Sequence, residues 1–364
     1  MKRVPRPEPK KLVADLYRTQ PPGYSRHDYL RLDMNEAVPG LPEDFVQRTL
    51  ASVTARYLAT YPEYRGLQAK IAVHNGLLPE QILLSNGSDG AIKYIFEAYV
   101  SPGDEVLLTD PTFAMYAVYC RMFGARPVWV EYRSDLSFPW EEFLDRLSGV
   151  RLAVVVNPNN PTGYALPPAQ LLKLIEHAAR QEILLLIDEA YFYYYPETAI
   201  QRVNDFQNLI VLRTFSKLCG MAALRLGYAA ACPEVIEVLR RVRPTFDVNG
   251  LAVHFGESLL AATNIIPELL REVKAGKEFL VRKLSEAGIP HCPGSANFVL
   301  IDCRGKVEAV VKGLAEAKIL VGAGFKNDFL KDYIRVTVGS KAVMQRFWQG
   351  FAGVWGRLDV ESCA

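Results

Sequence analysis

The chain has 364 residues, of which 50% are apolar and 23% are charged, and its formal net charge is +2. This composition is typical of a globular protein, and the length predicts a large domain accompanied by a smaller one. The nearly balanced charge argues against nucleic acid or an acidic membrane as a partner, and no apolar run approaches the roughly 18 residues that a transmembrane helix needs.

The six cysteines are scattered along the chain and form no CxxC pair. In a chain of this length without a secretory signal, this pattern predicts reduced, mostly buried thiols, no metal site and a cytoplasmic location. The N-terminus is basic and interrupted by prolines, and no apolar core follows it. We therefore expect a solvated arm there rather than a signal peptide.

From about residue 60 to 245, short apolar runs alternate with segments of helical period, including helices predicted at 91–100, 115–122 and 168–180. Nearly continuous apolar runs are typical of strands that are buried on both faces of a sheet. The alternation predicts an α/β domain over residues 41–249, with a mostly parallel seven-stranded sheet flanked by helices. The predicted strands are 82–85, 105–109, 127–131, 152–156, 183–187, 209–213 and 225–231.

The pattern changes after Val248. Two long helical stretches, 251–262 and 268–287, precede short strands at 297–301 and 333–338, and a helix is predicted over 341–354. We therefore predict a smaller α+β domain formed by residues 250–364. The N-terminal arm, residues 1–40, is expected to pack against it.

Small and polar residues, SNGSDG at 85–90, follow the first strand of the large domain. Backbone N–H groups in such a segment can approach a ligand closely, and the N-terminus of the next helix adds partial positive charge. Gly87, Ser88 and Asp89 are therefore candidates for a phosphate cradle. The same residues are also ordinary turn and helix-capping residues, so this segment alone leaves both interpretations open.

Three later strands also end in polar groups. Asn160 lies in the rigid turn NPNNPTG at 157–163, Asp188 and Tyr191 follow an apolar run, and Lys217 closes TFSK at 214–217. Taken singly, these are compatible with a stiff surface loop, a helix-capping aspartate and a surface lysine. Ligands of open α/β sheets bind at the carboxyl ends of the strands, however, and a buried carboxylate is costly without a cationic partner. Together the groups fit an aldehyde cofactor with a phosphate and a titratable ring nitrogen.

The chain resembles the fold-type I aminotransferases, specifically the class I/II branch that contains histidinol-phosphate aminotransferase. The resemblance spans roughly residues 32–339. Its most specific parts, in order, are NPNNPTG at 157–163, DEAY at 188–191, TFSK at 214–217, LRLG at 224–227 and YIRVTVG at 333–339.

The resemblance implies pyridoxal 5'-phosphate (PLP) as the cofactor. Lys217 is then implied to hold it as a Schiff base and to move the proton, while Asp188 pairs with the protonated ring nitrogen. Asn160 and Tyr191 are implied to hydrogen-bond the ring O3', and Phe113 to lie against the ring face. The implied catalytic residues are Lys217, Asp188 and Tyr191.

The remaining implied contacts concern the phosphate and the substrate. Tyr61 is similar to the family tyrosine that reaches the phosphate in the neighbouring subunit, which implies a homodimer. Arg335 matches the arginine that binds a substrate anion through its planar fork, and Asn35 matches a segment that borders the site. The implied phosphate ligands within one subunit are Gly87, Ser88, Asp89, Thr214 and Arg225.

Two segments depart from the histidinol-phosphate pattern. Gly322 follows Ile319-Leu320-Val321, where those enzymes usually carry an arginine for the substrate phosphate, and AVPG at 37–40 replaces an Asn-Pro-aromatic-Gly run. Loss of one charge-assisted contact corresponds to roughly tenfold to hundredfold in binding. We therefore expect conserved cofactor chemistry with an altered substrate.

The predicted function is a PLP-dependent aminotransferase. It would transfer an amino group between a small amino acid or amino compound, which can be phosphorylated, and a keto acid or ketone. Three alternatives stay open: a PLP-dependent decarboxylase of a phospho-amino acid, a true histidinol-phosphate aminotransferase, and a non-catalytic binding protein with this fold. The partners expected are the amino donor, the keto acceptor and a second copy of the chain, with neither nucleic acid nor membrane.

Overall fold

The computed structural model describes residues 8–14, 16 and 23–362, with side chains up to residue 358. Lys2, Arg3 and Arg6 of the predicted arm, and Cys363, lie outside the described residues. The other five cysteines are free thiols. Within the described part of the chain, no helix is both long enough and apolar enough to cross a membrane.

The described residues form thirteen α-helices and twelve strands. The strands are β1 (Leu30–Leu32), β2 (Ile82–Asn86), β3 (Glu105–Asp110), β4 (Arg126–Glu131), β5 (Leu152–Val156), β6 (Leu184–Asp188), β7 (Leu209–Thr214), β8 (Leu226–Ala230), β9 (His291–Cys292), β10 (Phe298–Asp302), β11 (Ile319–Val321) and β12 (Tyr333–Thr337). The helices are α1 (Lys11–Ala14), α2 (Glu43–Ala51), α3 (Ala55–Leu58), α4 (Arg65–Asn75), α5 (Gly87–Tyr99), α6 (Met115–Phe123), α7 (Trp140–Asp145), α8 (Pro168–Arg180), α9 (Pro233–Val242), α10 (Gly250–Ala261), α11 (Ile265–Glu286), α12 (Val307–Glu316) and α13 (Lys341–Ser362).

Seven strands form the main sheet in the order β2-β8-β7-β6-β5-β3-β4, as predicted. Only β8 runs antiparallel to its neighbours, β2 and β7. Alternate residues of each central strand enter two different apolar clusters: Leu185 and Ile187 pack on one face of the sheet, and Leu184 and Leu186 on the other. Burial on both faces explains the continuous apolar runs, and it leaves polar residues only at the strand ends.

Two boundaries differ from the prediction at places that matter for the site. Helix α5 begins at Gly87 rather than at residue 91, so the small-residue segment is itself the first turn of the helix. Arg225 lies outside β8, because its backbone adopts a left-handed conformation with φ of 57°. Both shifts place backbone or side-chain donors at the edge of the sheet where the parallel strands end.

Two smaller sheets complete the fold, with orders β12-β10-β9 and β1-β11. The pairing of β1 with β11 is parallel and joins residues 30–32 to residues 319–321, so the N-terminal segment packs against the C-terminal part as expected. The sequence patterns did not indicate β1, β9, β11 or α12. These strands have only two or three residues, which is too short for a periodic signal. The domain boundaries at 40/41 and 249/250 stay a prediction.

Close backbone packing fixes the end of β12, the strand that carries Arg335. A Cβ atom on Gly276 in α11 would lie 2.0 Å from the carbonyl oxygen of Gly339, just after β12. A Cβ on Gly339 would in turn lie 2.4 Å from the carbonyl oxygen of Val38. Helix α11, the end of β12 and the N-terminal segment therefore meet at distances that only glycine allows.

We predict opposite effects for the same substitution at two helical glycines. Gly276→Ala should lower the free energy of unfolding by about 1–3 kcal/mol, because the methyl group overlaps backbone that must shift. The control is Gly356→Ala in α13, where a Cβ meets no atom within 4 Å. That change should raise the free energy of unfolding by about 0.5–1 kcal/mol, since alanine is the better helix former. Urea denaturation measures both, and equal effects would contradict the packing described.

Candidate functional site

A cavity of about 890 Å³ opens at the carboxyl ends of the parallel strands. It is the place where the sequence-predicted site residues converge, because β5, β6 and β7 all end at this edge of the sheet. Gly87 and Tyr61 are the two predicted residues that do not line it. The predicted residues in its wall are Asn35, Ser88, Asp89, Phe113, Asn160, Asp188, Tyr191, Thr214, Lys217, Arg225 and Arg335.

The N-terminus of α5 forms one end of the cavity. Asn86, the N-cap residue, makes no side-chain capping hydrogen bond, so the side chain before the helix does not cap the N–H groups of its first turn. A Cβ on Gly87 would lie 2.6 Å from Arg225 Nη2, and a Cβ on Gly227 would lie 2.4 Å from the backbone nitrogen of Ser88. Glycine at these two positions lets the guanidinium and the helix N-terminus approach each other closely.

Hydroxyl groups lie beside this helix terminus. Thr214 Oγ1 donates to Ser216 Oγ at 3.0 Å, and Arg225 Nη1 contacts the same oxygen at 3.3 Å. Ser216 also lines the cavity and was not among the predicted residues, although it lies within TFSK. Hydroxyl groups, an arginine and helical N–H groups together make a site for a dianion such as a phosphate monoester.

Asp188 lies at the buried side of the cavity, at the end of β6. Its Oδ1 accepts a hydrogen bond from Ala190 N at 3.1 Å, and its Oδ2 accepts one from the hydroxyl of Tyr116 at 2.8 Å. Burial raises the pKa of Asp188 to about 6, although both hydrogen bonds and the charge of Lys217 lower it. Tyr116 is fully buried and was missed by the sequence analysis, because a tyrosine in an apolar helix face looks like an ordinary core residue.

Lys217 extends into the same cavity from the segment after β7. Its Nζ donates to the carbonyl oxygen of Met34 at 3.0 Å. Burial lowers the pKa of Lys217 to about 8, and the nearby charges of Arg335 and Arg225 lower it further while Glu36 and Asp188 oppose them. An amine with this pKa is partly neutral near pH 8, and a neutral amine is the form that attacks an aldehyde.

Tyr191 and Asn35 form a buried pair beside the lysine. Asn35 Nδ2 donates to the Tyr191 hydroxyl at 2.8 Å, and Thr337 Oγ1 accepts from the backbone nitrogen of Asn35 at 3.0 Å. Asn35 has a left-handed backbone with φ of 56°, a conformation that asparagine tolerates better than most residues. The N-terminal segment thus places a side chain in the cavity far from its position in the sequence.

Arg335 extends from β12 towards the same group of residues. Its Nη1 donates to Asn160 Oδ1 and its Nη2 donates to the carbonyl oxygen of Asp33 at 2.6 Å. Its Nε is buried and makes no hydrogen bond among the described residues. Gly322 pairs with Arg335 through two backbone hydrogen bonds of 2.7 and 2.9 Å, and a Cβ on Gly322 would lie 3.3 Å from Arg335 Nη2.

Of three further side chains near the cavity, two line its wall and one does not. Phe113 lines the cavity and packs edge-on against Tyr116, with ring centroids 6.1 Å apart. Lys326 also lines the cavity. Arg26 does not, because its guanidinium is ion-paired with Asp33 at 2.6 Å and with Glu36 at 3.0 Å.

Tyr61 lies apart from this cavity. Its side chain is 73% exposed and its ring stacks on that of Phe246, with centroids 4.2 Å apart. Within one chain it therefore contributes nothing to the site around Lys217.

The residues present fit PLP. One end of the cavity offers donors for a phosphate, and Lys217 offers an amine of lowered pKa. The buried side offers the Asp188 carboxylate, which has no cation in contact with it among the residues that the structure describes. A protonated pyridine nitrogen is a cation of the size and polarity that the buried carboxylate lacks. The cofactor would supply an aldehyde for the substrate amino group and a ring that accepts electrons.

Comparison with known proteins agrees with this chemistry. The family model for aminotransferase class I and II matches residues 27–351. The chain is 31% identical over 340 residues to histidinol-phosphate aminotransferase from Thermoanaerobacter pseudethanolicus, covering 90% of this chain and 95% of that protein. It is 32% identical over 328 residues to histidinol-phosphate aminotransferase 3 from Mesorhizobium japonicum, covering 88% and 86%.

A solved structure shows the same fold. The crystal structure of histidinol-phosphate aminotransferase from Sinorhizobium meliloti, in complex with PLP, superposes with a TM-score of 0.83 at 24% identity, covering 90% of this chain and 91% of that one. This structure, the family match and the relatives together confirm the predicted fold type, cofactor and enzyme class. The chain belongs to aminotransferase class I and II, a family of PLP-dependent enzymes.

Proposed function

We propose that Lys217 and Asp188 act on opposite sides of the cofactor in an aminotransferase site. Lys217 carries the cofactor and then moves the proton at the substrate Cα. Asp188 keeps the ring nitrogen protonated, so that the ring can accept the electrons left on Cα. The single observation that carries this proposal is the convergence of both side chains in one cavity with the N-terminus of α5.

The positions of further residues in the cavity wall support the other proposed cofactor contacts. We assign the O3' contacts to Asn160 and Tyr191 and the ring face to Phe113, with Tyr191 as the third catalytic residue. Hydrogen bonds to O3' adjust the proton affinity of the lysine nitrogen. The phosphate ligands would be Gly87, Ser88, Asp89, Thr214 and Arg225, to which the cavity wall adds Ser216.

We propose that the substrate is an amino compound with one strongly held anion. Arg335 would bind that anion through its planar fork, with Asn35 beside it, and the presence of both side chains in the cavity wall supports this assignment. Residue 322 lies against the Arg335 guanidinium, so the glycine there leaves this place without a second fixed cation. The keto acceptor is expected to bind to the same groups, because both half-reactions use one site.

We further propose a cytoplasmic homodimer in which Tyr61 reaches the phosphate of the neighbouring subunit. The exposed Tyr61 side chain, stacked on Phe246 outside its own subunit's cavity, supports this arrangement. The free cysteines favour a reducing compartment.

The first prediction concerns the lysine. Borohydride reduction of the PLP-loaded protein should fix the cofactor on Lys217 and leave Lys277 unlabelled. Lys277 is the matched control, because burial also lowers its pKa to about 8. PLP attachment to the apo-protein should accelerate as pH rises and level off above about pH 8, because the Lys217 amine is then neutral. Peptide mapping and stopped-flow absorbance measure the two effects, and label on Lys277 would overturn the assignment.

The second prediction uses complementation between two variants to test whether Tyr61 contributes to the site of the neighbouring subunit. Lys217→Ala removes the lysine from one subunit, and Tyr61→Ala removes the tyrosine from the other. A mixed dimer should then recover one intact site, with wild-type PLP affinity, that neither parent homodimer possesses. Titration of tagged, purified mixed dimers measures it. If the mixed dimers bind PLP no better than the Tyr61→Ala homodimer, Tyr61 does not act across the interface.

The third prediction concerns the substrate. Histidinol phosphate should be a poor substrate of the wild type, and Gly322→Arg should raise its kcat/KM about tenfold by adding a charged contact. The φ of Gly322 lies outside the left-handed region, and a Cβ there requires the Arg335 side chain, 3.3 Å away, to shift by a few tenths of an ångström. Arg335→Lys should raise KM about tenfold while leaving PLP affinity unchanged, because an ammonium cannot reproduce the planar fork.

Mass spectrometry of the same assays separates the alternatives. Keto product indicates transamination, and CO2 release would favour the decarboxylase. Efficient wild-type turnover of histidinol phosphate would instead make the chain a true histidinol-phosphate aminotransferase. In that case Lys326→Ala should lower kcat/KM for histidinol phosphate by about tenfold to hundredfold. Lys326 lines the cavity, whereas Arg26 is held by two carboxylates.

A further inference from the structure

The side chain behind Asp188 is Tyr116, in the first turn of α6. It is fully buried and does not line the cavity. Its hydroxyl donates to Asp188 Oδ2 at 2.8 Å, and no other hydrogen bond of this hydroxyl occurs among the described residues. Phenylalanine would fill almost the same volume without a polar atom that needs a partner. The hydroxyl therefore has one specific task, which concerns the carboxylate.

The hydrogen bond fixes both the charge and the orientation of Asp188. One donor reaches each carboxylate oxygen: Ala190 N at Oδ1 and Tyr116 at Oδ2. Two donors on different oxygens hold the plane of the carboxylate and still leave each oxygen a free lone pair. A donor also favours the ionised form in a place where burial opposes it. The titratable groups that face this pair are Lys217, Glu189, Tyr191, Asp89 and Tyr119.

Tyr116 remains a donor throughout the physiological pH range, because burial and the Asp188 charge raise its pKa well above the ordinary tyrosine value. The Tyr116 side chain also contacts Phe113, which lines the cavity. Its ring packs edge-on against Phe113, at an interplanar angle of 84°. One side chain therefore contacts both the carboxylate and the aromatic ring that lines the cavity.

We propose that Tyr116 is a positioning residue for the ring-nitrogen end of the cofactor, where its hydroxyl holds Asp188 ionised and oriented for the pyridine nitrogen. The inference depends on the proposed pairing of Asp188 with that nitrogen. It adds a residue outside the cavity that acts on the cofactor through Asp188.

The test compares two ligands in apo-protein of the wild type and Tyr116→Phe. One ligand is PLP and the other is 1-deazapyridoxal 5'-phosphate, in which carbon replaces the ring nitrogen. Tyr116→Phe should weaken PLP binding about tenfold, the value of a hydrogen bond to a charged group, and leave the analogue unaffected. A merely structural defect would weaken both ligands equally, because both share the phosphate, the aldehyde and the ring shape.

The control is Tyr228→Phe. Tyr228 is also buried, and its hydroxyl accepts a hydrogen bond from Asn75 Nδ2 at 3.1 Å. Its hydroxyl also meets Arg213, on the face of the sheet opposite Asp188, and does not line the cavity. Removal of this hydroxyl should therefore lower thermal stability and affect both ligands equally, without changing the ratio of the two dissociation constants. As a second measurement, Tyr116→Phe should have no effect on PLP affinity in an Asp188→Asn background.

The outcomes separate this proposal from the one on which it depends. If the wild type binds both ligands equally, Asp188 does not pair with the ring nitrogen and the proposed cofactor geometry fails. If the wild type prefers PLP and Tyr116→Phe keeps the full preference, only the role of Tyr116 is wrong. If Tyr116→Phe does not fold, fluorotyrosine at position 116 replaces phenylalanine in the comparison of the two ligands. Its more acidic hydroxyl should change the affinity for PLP and leave the affinity for the 1-deaza analogue unchanged.

Discussion

A buried ion pair between Glu189 and Arg213 holds the two strand ends on which the site depends. Arg213 donates from Nε at 3.0 Å and from Nη2 at 2.9 Å to Glu189 Oε2, and both side chains are almost fully buried. Since side chains alternate along a strand, this pair lies on one face of the sheet while Asp188 and Thr214, the adjacent residues, point to the other. Breaking such a pair by removing one partner typically costs about 3–5 kcal/mol. From the opposite face of the sheet, the ion pair therefore fixes the position of Asp188 relative to the segment that carries Lys217.

The site itself is destabilising for the fold. The pKa of Asp188 is raised from 3.8 to about 6, so the native state binds more protons than the unfolded chain between these values, and stability is lost as pH rises through 6. At neutral pH the raised pKa lowers the free energy of unfolding by about 3 kcal/mol. Asn35 and Arg225 add left-handed backbones that side chains other than glycine rarely adopt. A cation beside Asp188 and an anion beside Arg225 would offset these costs, so cofactor binding is expected to stabilise the fold.

The main sheet and most of the cavity wall were predictable from the sequence, because both depend on local sequence patterns. The apolar runs predicted the positions of all seven strands. Asp188 ends β6, and Asn160 and Lys217 lie four and three residues after the ends of β5 and β7. Tyr116 was not predictable, since its helix face is apolar and only the three-dimensional contact shows that its hydroxyl meets Asp188. The same holds for β1 and β11, which pair across nearly 300 positions and are too short to leave a pattern. Ser216 is different, because it lies within the TFSK segment and its contact with Thr214 is local.

The contrast between local features and contacts among distant segments explains why the cofactor chemistry is easier to infer from the sequence than the substrate. The proposed cofactor contacts come from successive strand ends of one sheet, which the sheet topology brings together. The substrate side is assembled from segments that are far apart in the sequence, with Arg335 held by the carbonyl of Asp33 and by Asn160. A change at one contact, such as glycine at 322, alters the charge beside Arg335 without affecting the sheet or the cofactor ligands. Substrate preference can therefore change within this fold while the lysine, the aspartate and the phosphate cradle stay in place.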